Sequence, residues 1–213
     1  MRKTLLMTTG LAWLALTGAA SAAIQVLATP GPQDPQYFAS VPVLSNNFVV
    51  NGDTWSLVSG TAAIEHGPSV QGQYAVPLGM DDTNFMSVFG GGTEQVVFGT
   101  ARTSLSIYWG SMDPGNDFAV TIDGYTLTGA NIAAMALGTA NGSHTQPTSN
   151  ELITITGLGS FTTATFSSSN NSFEFSLGSG VPETSTWAMM ALGFAGLGYA
   201  AFRRNTKGRA LAI

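Results

Sequence analysis

The side chains that could do chemistry are few and scattered. His66 and His144 are the only imidazoles, and each lies in a Gly- or Ser-containing loop with no second His, no Cys and no short metal-ligand spacing around it. A Ser-His-Asp arrangement can be assembled from anywhere in a chain, but no Gly-x-Ser-x-Gly elbow is present. The sequence also singles out no pair of acids facing across a cleft for glycoside cleavage. The expectation is therefore no catalytic residue, with both histidines as solvated loop residues. Asp113, Asn116 and Asp117, in a Pro-Gly turn, could offer oxygen ligands to calcium, as could Asp81 and Asp82. Calcium needs six to eight oxygens, and no EF-hand or nonapeptide-repeat spacing is present, so turn chemistry is the simpler role and no dedicated metal site or cofactor is expected. Tyr108, Trp55 and Trp109 could stack on sugar rings if exposed. Trp109 shares a strand face with Leu105 and Ile107 and is expected in the core. Tyr108, on the opposite face, is expected as the contact residue, together with the acids of the following turn.

Strands must position these groups. The clearest is 103–109, where Leu105, Ile107 and Trp109 alternate with Ser104, Ser106 and Tyr108, the two-residue period of a half-buried strand. Phe118, Val120 and Ile122 repeat the pattern and run into Asp123-Gly124, a pair suited to a type I′ hairpin turn, with 125–127 as the returning strand. Further short apolar stretches at 48–50, 55–58, 62–65, 73–76, 85–89, 95–98, 152–156, 162–167 and 172–177 are separated by Gly, Asn and Asp. Residues 23–42, with Pro30, Pro32, Pro35 and Pro42, read as an extended lead-in outside the core. One short helix is expected within 129–137 and a polar loop over 138–150. Many short strands without alternating helices predict an all-β fold, an antiparallel β-sandwich of jelly-roll-like form, with a closed barrel as the alternative.

The two ends read as addresses. Arg2-Lys3, a short apolar core from Leu5 to Leu16, and Ala20-Ser21-Ala22 predict a signal peptide over 1–22, cut after Ala22 by signal peptidase following passage through the Sec translocon. At the other end, 181–209 holds a short polar motif (Val181, Pro182, Glu183), an uncharged run from Trp187 to Phe202, and a basic cluster of Arg203, Arg204, Lys207 and Arg209. A helix from Thr184 to Phe202 would be about 28 Å long, enough to span a bilayer with the basic end in the cytoplasm. The expected organisation is a signal peptide over 1–22, an exported sandwich domain over 23–180 and a sorting segment over 181–209.

Composition sets further limits. Six of the seven basic residues lie in the two end segments, leaving Arg102 as the only cation of the body. An acidic body of this kind has no means of gripping phosphates, which excludes nucleic acid as a partner. Arg102 itself is expected to pair with a carboxylate. Cysteine is absent, so stability must come from the core without disulfides. No internal repeat is present, and a body of roughly 160 residues is long enough for one substantial core.

The order of motif, apolar run and basic end resembles the PEP-CTERM sorting domain of exosortase-dependent proteins in Gram-negative bacteria. The matching residues are Val181-Pro182-Glu183, Trp187, the glycine-containing apolar run and Arg203-Arg204, while Thr184 stands where that family usually has a second proline. The segment Tyr108-Trp109-Gly110-Ser111 with Asp113 and Asn116, preceded by Gly90-Gly91-Gly92 and followed by Ser169-Asn170 and Phe173-Glu174-Phe175, is similar to the body of one group of these surface proteins. The resemblance implies an exosortase as partner and an inner-membrane intermediate. It further implies release to the cell surface or extracellular matrix, and association with exopolysaccharide and biofilm. It brings no reaction with it. A carbohydrate-binding module, calcium-assisted or not, is the alternative, and a secreted hydrolase would require a histidine within reach of a Ser or carboxylate inside a cleft.

Overall fold

A computed structural model describes residues 23–112, 118–131, 140–170, 172–178 and Phe194. The signal segment with Ala20 and Ala22, the turn with Asp113, Asn116 and Asp117, and the tail residues Val181, Pro182, Glu183, Arg203 and Arg204 lie outside them.

Among the described residues twelve strands form two six-stranded sheets, and every pairing is antiparallel. In chain order they are β1 (Gln25–Pro30), β2 (Asn47–Val50), β3 (Asp53–Ser59), β4 (Ala62–Glu65), β5 (Phe85–Val88), β6 (Gly92–Arg102), β7 (Leu105–Gly110), β8 (Phe118–Ile122), β9 (Tyr125–Thr128), β10 (Glu151–Thr156), β11 (Phe161–Ser168) and β12 (Phe173–Leu177). One sheet has the order β1-β10-β7-β12-β5-β4 and the other β2-β3-β6-β11-β8-β9. Both sheets are open, ending in β1 and β4 or in β2 and β9, so the fold is a sandwich and not the closed barrel. Residues 129–131 are helical, and the rest of the stretch expected to hold a short helix, 132–137, lies outside the described residues. No helix among the described residues is long and apolar enough to cross a membrane.

Alternation decides what lies between the sheets. On β7, Leu105, Ile107 and Trp109 turn inward and are buried, meeting Ile155, Ile153 and Glu151 across β10 and, for the last two, Leu177 and Phe175 across β12. From the other sheet Trp55, Phe118, Val120, Ile122 and Phe166 point back at them. The centre of the core is aromatic. Phe166 stacks on Phe175 at 4.4 Å between ring centroids, Trp55 on Phe166 at 5.6 Å, and Trp109 leans on Phe118 at 4.8 Å. Ring pairs of this kind add about 0.5–1.5 kcal/mol each beyond the area they bury, which suits a body without disulfides.

The hairpin β8–β9 turns on Asp123 (φ 49°) and Gly124 (φ 80°), both left-handed as a type I′ turn needs. Three expectations are corrected. Residues 25–30 are not a loose lead-in: they form edge strand β1 against β10, and Phe38, soon after, is fully buried beside Trp55, its ring 5.2 Å away. The Pro-rich stretch gives β1 an edge position, where a missing N–H is tolerated. Residues 73–76 are not a strand but the end of a tight turn, with a single bridge between Val70 and Tyr74. Finally, the outer face of the β7 sheet is not solvated. Residues 66–84 fold across it, and Val76, Met80, Phe85 and Tyr108 make a second small core there, with Tyr74 and Leu152 at its margin.

Candidate functional site

The covered face holds a connected polar arrangement among the described residues. Glu174 sits on β12 between Ser87 of β5 and Gly110 of β7, pointing away from the aromatic core. Gly110 has no room for a side chain, because a Cβ there would meet Pro77 at 2.7 Å. The glycine therefore lets the covering segment come down onto the sheet beside the acid. Glu174 is 2% exposed, and its oxygens hold three chain segments together. Oε1 accepts the Ala75 N–H at 2.9 Å and the Ser172 hydroxyl, and Oε2 accepts the Ser111 hydroxyl at 3.0 Å. Burial pushes its carboxyl up to about 7, against the pull of the donors from Ser172, Ala75 and Ser111.

Ser111 is itself held in the left-handed region (φ 48°), directly after Gly110. Its N–H donates to Asn150 Oδ1 at 3.3 Å, and that oxygen also accepts the Leu78 N–H at 3.0 Å. The Asn150 amide donates in turn to the carbonyls of Ser143 and Gln146, at 3.0 and 2.9 Å. Asn150 is fully buried and makes four bonds, the full capacity of a side-chain amide. The loop expected over 138–150 is thus polar in composition but anchored at its end, around a short 3-10 turn at Pro147–Ser149.

Between the covering segment and these loops lies an open cavity of about 480 Å³. Val70, Gln71, Gln73, Tyr74, Ser111, His144, Ser172 and Glu174 are among the residues that line it. Within that lining Glu174 is bonded to Ser111 and Ser172, and Tyr74 has its ring edge-on to Phe85 at 5.8 Å. His144 is exposed at the margin and makes no hydrogen bond to Ser111, Ser172 or Glu174 among the described residues. Both serine hydroxyls are used as donors to the carboxyl, so what the cavity offers is a set of fixed acceptors and donors. His66 is elsewhere, its Nδ1 2.9 Å from Asn84 Oδ1.

Tyr108 is corrected. It was expected to face outward as a contact residue, but it is fully buried, and its hydroxyl donates to the Leu78 carbonyl at 2.6 Å. Burial pushes the phenol up to about 12. The residues covering it come from 66–84, far away in sequence, which local alternation cannot anticipate. Trp109 and Trp55 are core residues, each 1% exposed. Arg102 finds its carboxylate in Asp53, at 2.6 Å, and its guanidinium lies 3.8 Å over the Phe98 ring. Asp53 also accepts the Tyr37 hydroxyl and the Gly99 N–H, so the body's one cation is consumed in an internal knot. Tyr37 is pushed up by burial and by that bond to Asp53.

Asp81 and Asp82 are exposed on a turn, and no three His, Cys, Asp or Glu side chains converge among the described residues. Glu174 is the residue that sequence reasoning passed over. A glutamate between Phe173 and Phe175 reads as the solvent side of a strand; the aromatic neighbours on both sides of it were the one available signal.

No family model matches the chain, and neither a curated protein nor a solved structure matches it.

Proposed function

We propose that the chain is an exported surface or extracellular-matrix protein, non-catalytic, whose sandwich body reaches the cell exterior after removal of both ends. The observation that carries this reading is the order of the C-terminal segment: Pro182-Glu183, then an uncharged membrane-length run, then Arg203-Arg204. In this reading Ala20 to Ala22 direct cleavage by signal peptidase after Sec export. The tail holds an inner-membrane intermediate, an exosortase cuts near 181–183, and the released body associates with extracellular polysaccharide. The strand order of β5 to β12, running β5-β12-β7-β10 in one sheet and β6-β11-β8-β9 in the other, supports the jelly-roll form of the sandwich. The body's charge agrees with an extracellular role that avoids nucleic acid and anionic lipid, since Arg102 is tied to Asp53.

A second reading, a carbohydrate-binding module, is favoured by the polar cavity beside Glu174. Calcium assistance through Asp113, Asn116 and Asp117 belongs to that reading.

Intact-mass analysis of the protein recovered from the cell exterior, in cells with and without their exosortase, tests the proposal. The expected product starts at Ala23 and ends near Glu183 in the first case, and keeps its tail in the membrane in the second. A full-length exterior product carrying Arg209 would refute it.

A further inference from the structure

We propose that the cavity beside Glu174 binds a neutral, hydroxyl-rich saccharide segment; this rests on the polysaccharide association proposed above and names the site and the ligand class.

Size comes first. A volume of about 480 Å³ lies inside the ~300–1,000 Å³ range of small-molecule sites, far more than an ion needs. The lining then selects the chemistry. Gln71 and Gln73 each carry a donor and an acceptor, His144 carries another of each, and Glu174 belongs to the same lining. A ligand that uses all of these must itself both give and accept hydrogen bonds over a short span, as a row of hydroxyls does. Glu174 accepts from Ala75 and Ser172 at Oε1 and from Ser111 at Oε2, which holds its carboxyl in place within the cavity lining.

Charge removes the competing class. Among the described residues no lysine or arginine lines the cavity, and Arg102 is engaged with Asp53. A phosphate, sulfate or uronate would therefore meet a carboxyl and find no cation to offset its desolvation. The Tyr74 ring, edge-on to Phe85, adds an apolar surface for the C–H face of a sugar ring. The frame is set before any ligand arrives: Glu174 joins Ala75, Ser111 and Ser172, and Asn150 fixes the strip from Ser111 to the loop that carries His144. What is left for binding to order is the exposed side chains of Gln71, Gln73 and His144.

The test is calorimetric titration of the full chain in a phosphocholine detergent, which presents no sugar headgroup. The probes are linear neutral oligosaccharides of glucose, of galactose and of N-acetylglucosamine, with oligogalacturonate and calcium chloride as the contrasting ligands. At least one neutral oligosaccharide should bind saturably with Kd of about 1 mM or tighter, about −4 kcal/mol. Gln71→Ala and His144→Ala should each weaken it about fivefold, the effect of one hydrogen bond. Tyr125→Ala, which removes the exposed ring on the opposite sheet, should leave it unchanged. Oligogalacturonate and calcium should give no saturable heat. The proposal is overturned by any of four results. These are no binding of a neutral oligosaccharide at about 10 mM, binding indifferent to both cavity variants, binding lost with Tyr125, or preference for the anionic oligomer or for calcium alone. Titration reads the cavity and mass analysis reads the ends, so a failure of one leaves the other result standing.

Discussion

Replacing Glu94 by Gln should change how the stability of this protein depends on pH. Glu94 lies on β6 facing the interior, fully buried, and among the described residues neither of its carboxyl oxygens has a hydrogen-bond partner. Burial pushes the carboxyl from 4.5 up to about 8. Between those two values the folded chain keeps a proton that the unfolded chain has released. Stabilisation from that proton is complete below about pH 4.5 and gone above about pH 8, so Glu94 makes stability fall as pH rises through the window. The slope is about 1.4 kcal/mol per pH unit for one proton, and by pH 7 the accumulated loss is about 3 kcal/mol relative to pH 4. Glu174, raised to about 7, acts in the same direction, as do Glu65 and Glu151, both pushed up by burial. Urea unfolding followed by the fluorescence of buried Trp55 and Trp109, at steps from about pH 5 to 8, reads the slope directly. The wild-type protein should lose stability steadily across that range. The Glu94→Gln chain should lose it less steeply, by about 1.4 kcal/mol per unit, whatever offset the buried amide adds. Parallel curves for the two proteins, or wild-type stability that climbs between pH 5 and 8, would refute the reasoning.

Other perturbations have equally direct outcomes. Tyr108→Phe leaves the Leu78 carbonyl without its donor and should cost about 1–2 kcal/mol in urea midpoint analysis, while oligosaccharide binding stays as it was. Arg102→Ala strands the 3%-exposed Asp53 without its ion pair and should cost about 3 kcal/mol by the same measurement, more than an exposed pair would. Gly110→Ala places a methyl against Pro77; the covering segment must lift, and hydrogen exchange at the Ala75 and Leu78 amides should quicken while exchange in β11 is unchanged. Glu183→Ala should leave the tail uncut, with the longer chain found by mass in the membrane fraction.

How much of this was legible in the sequence depended on distance along the chain. The β8–β9 hairpin was fully readable, because Phe118, Val120 and Ile122 alternate and Asp123-Gly124 carries its own turn geometry. The inward face of β7 was readable for the same local reason. Alternation, however, only tells two faces apart; it does not say whether a second layer covers the outer one. Tyr108 and Glu174 were misjudged or passed over on that account, both being buried by 66–84. Phe38 and β1 were hidden by prolines that argue against a central strand yet suit an edge. The partner of Arg102 was unreadable because Asp53 lies on a different strand and only the register of β3 with β6 brings them together.

The exit point of the chain has a mechanical meaning. The described body ends at β12, which runs between β5 and β7 in the middle of its sheet, and the Gly178 N–H still bonds to the Ser106 carbonyl. Tension applied through the C-terminal segment therefore enters the fold at a strand gripped from both flanks, with Phe173 and Phe175 lodged in the aromatic centre. A peripheral strand could be peeled away one bond at a time. Here the load falls on two ladders and the ring cluster together, so the C-terminal end of the described body is more firmly secured than its N-terminal edge strand β1.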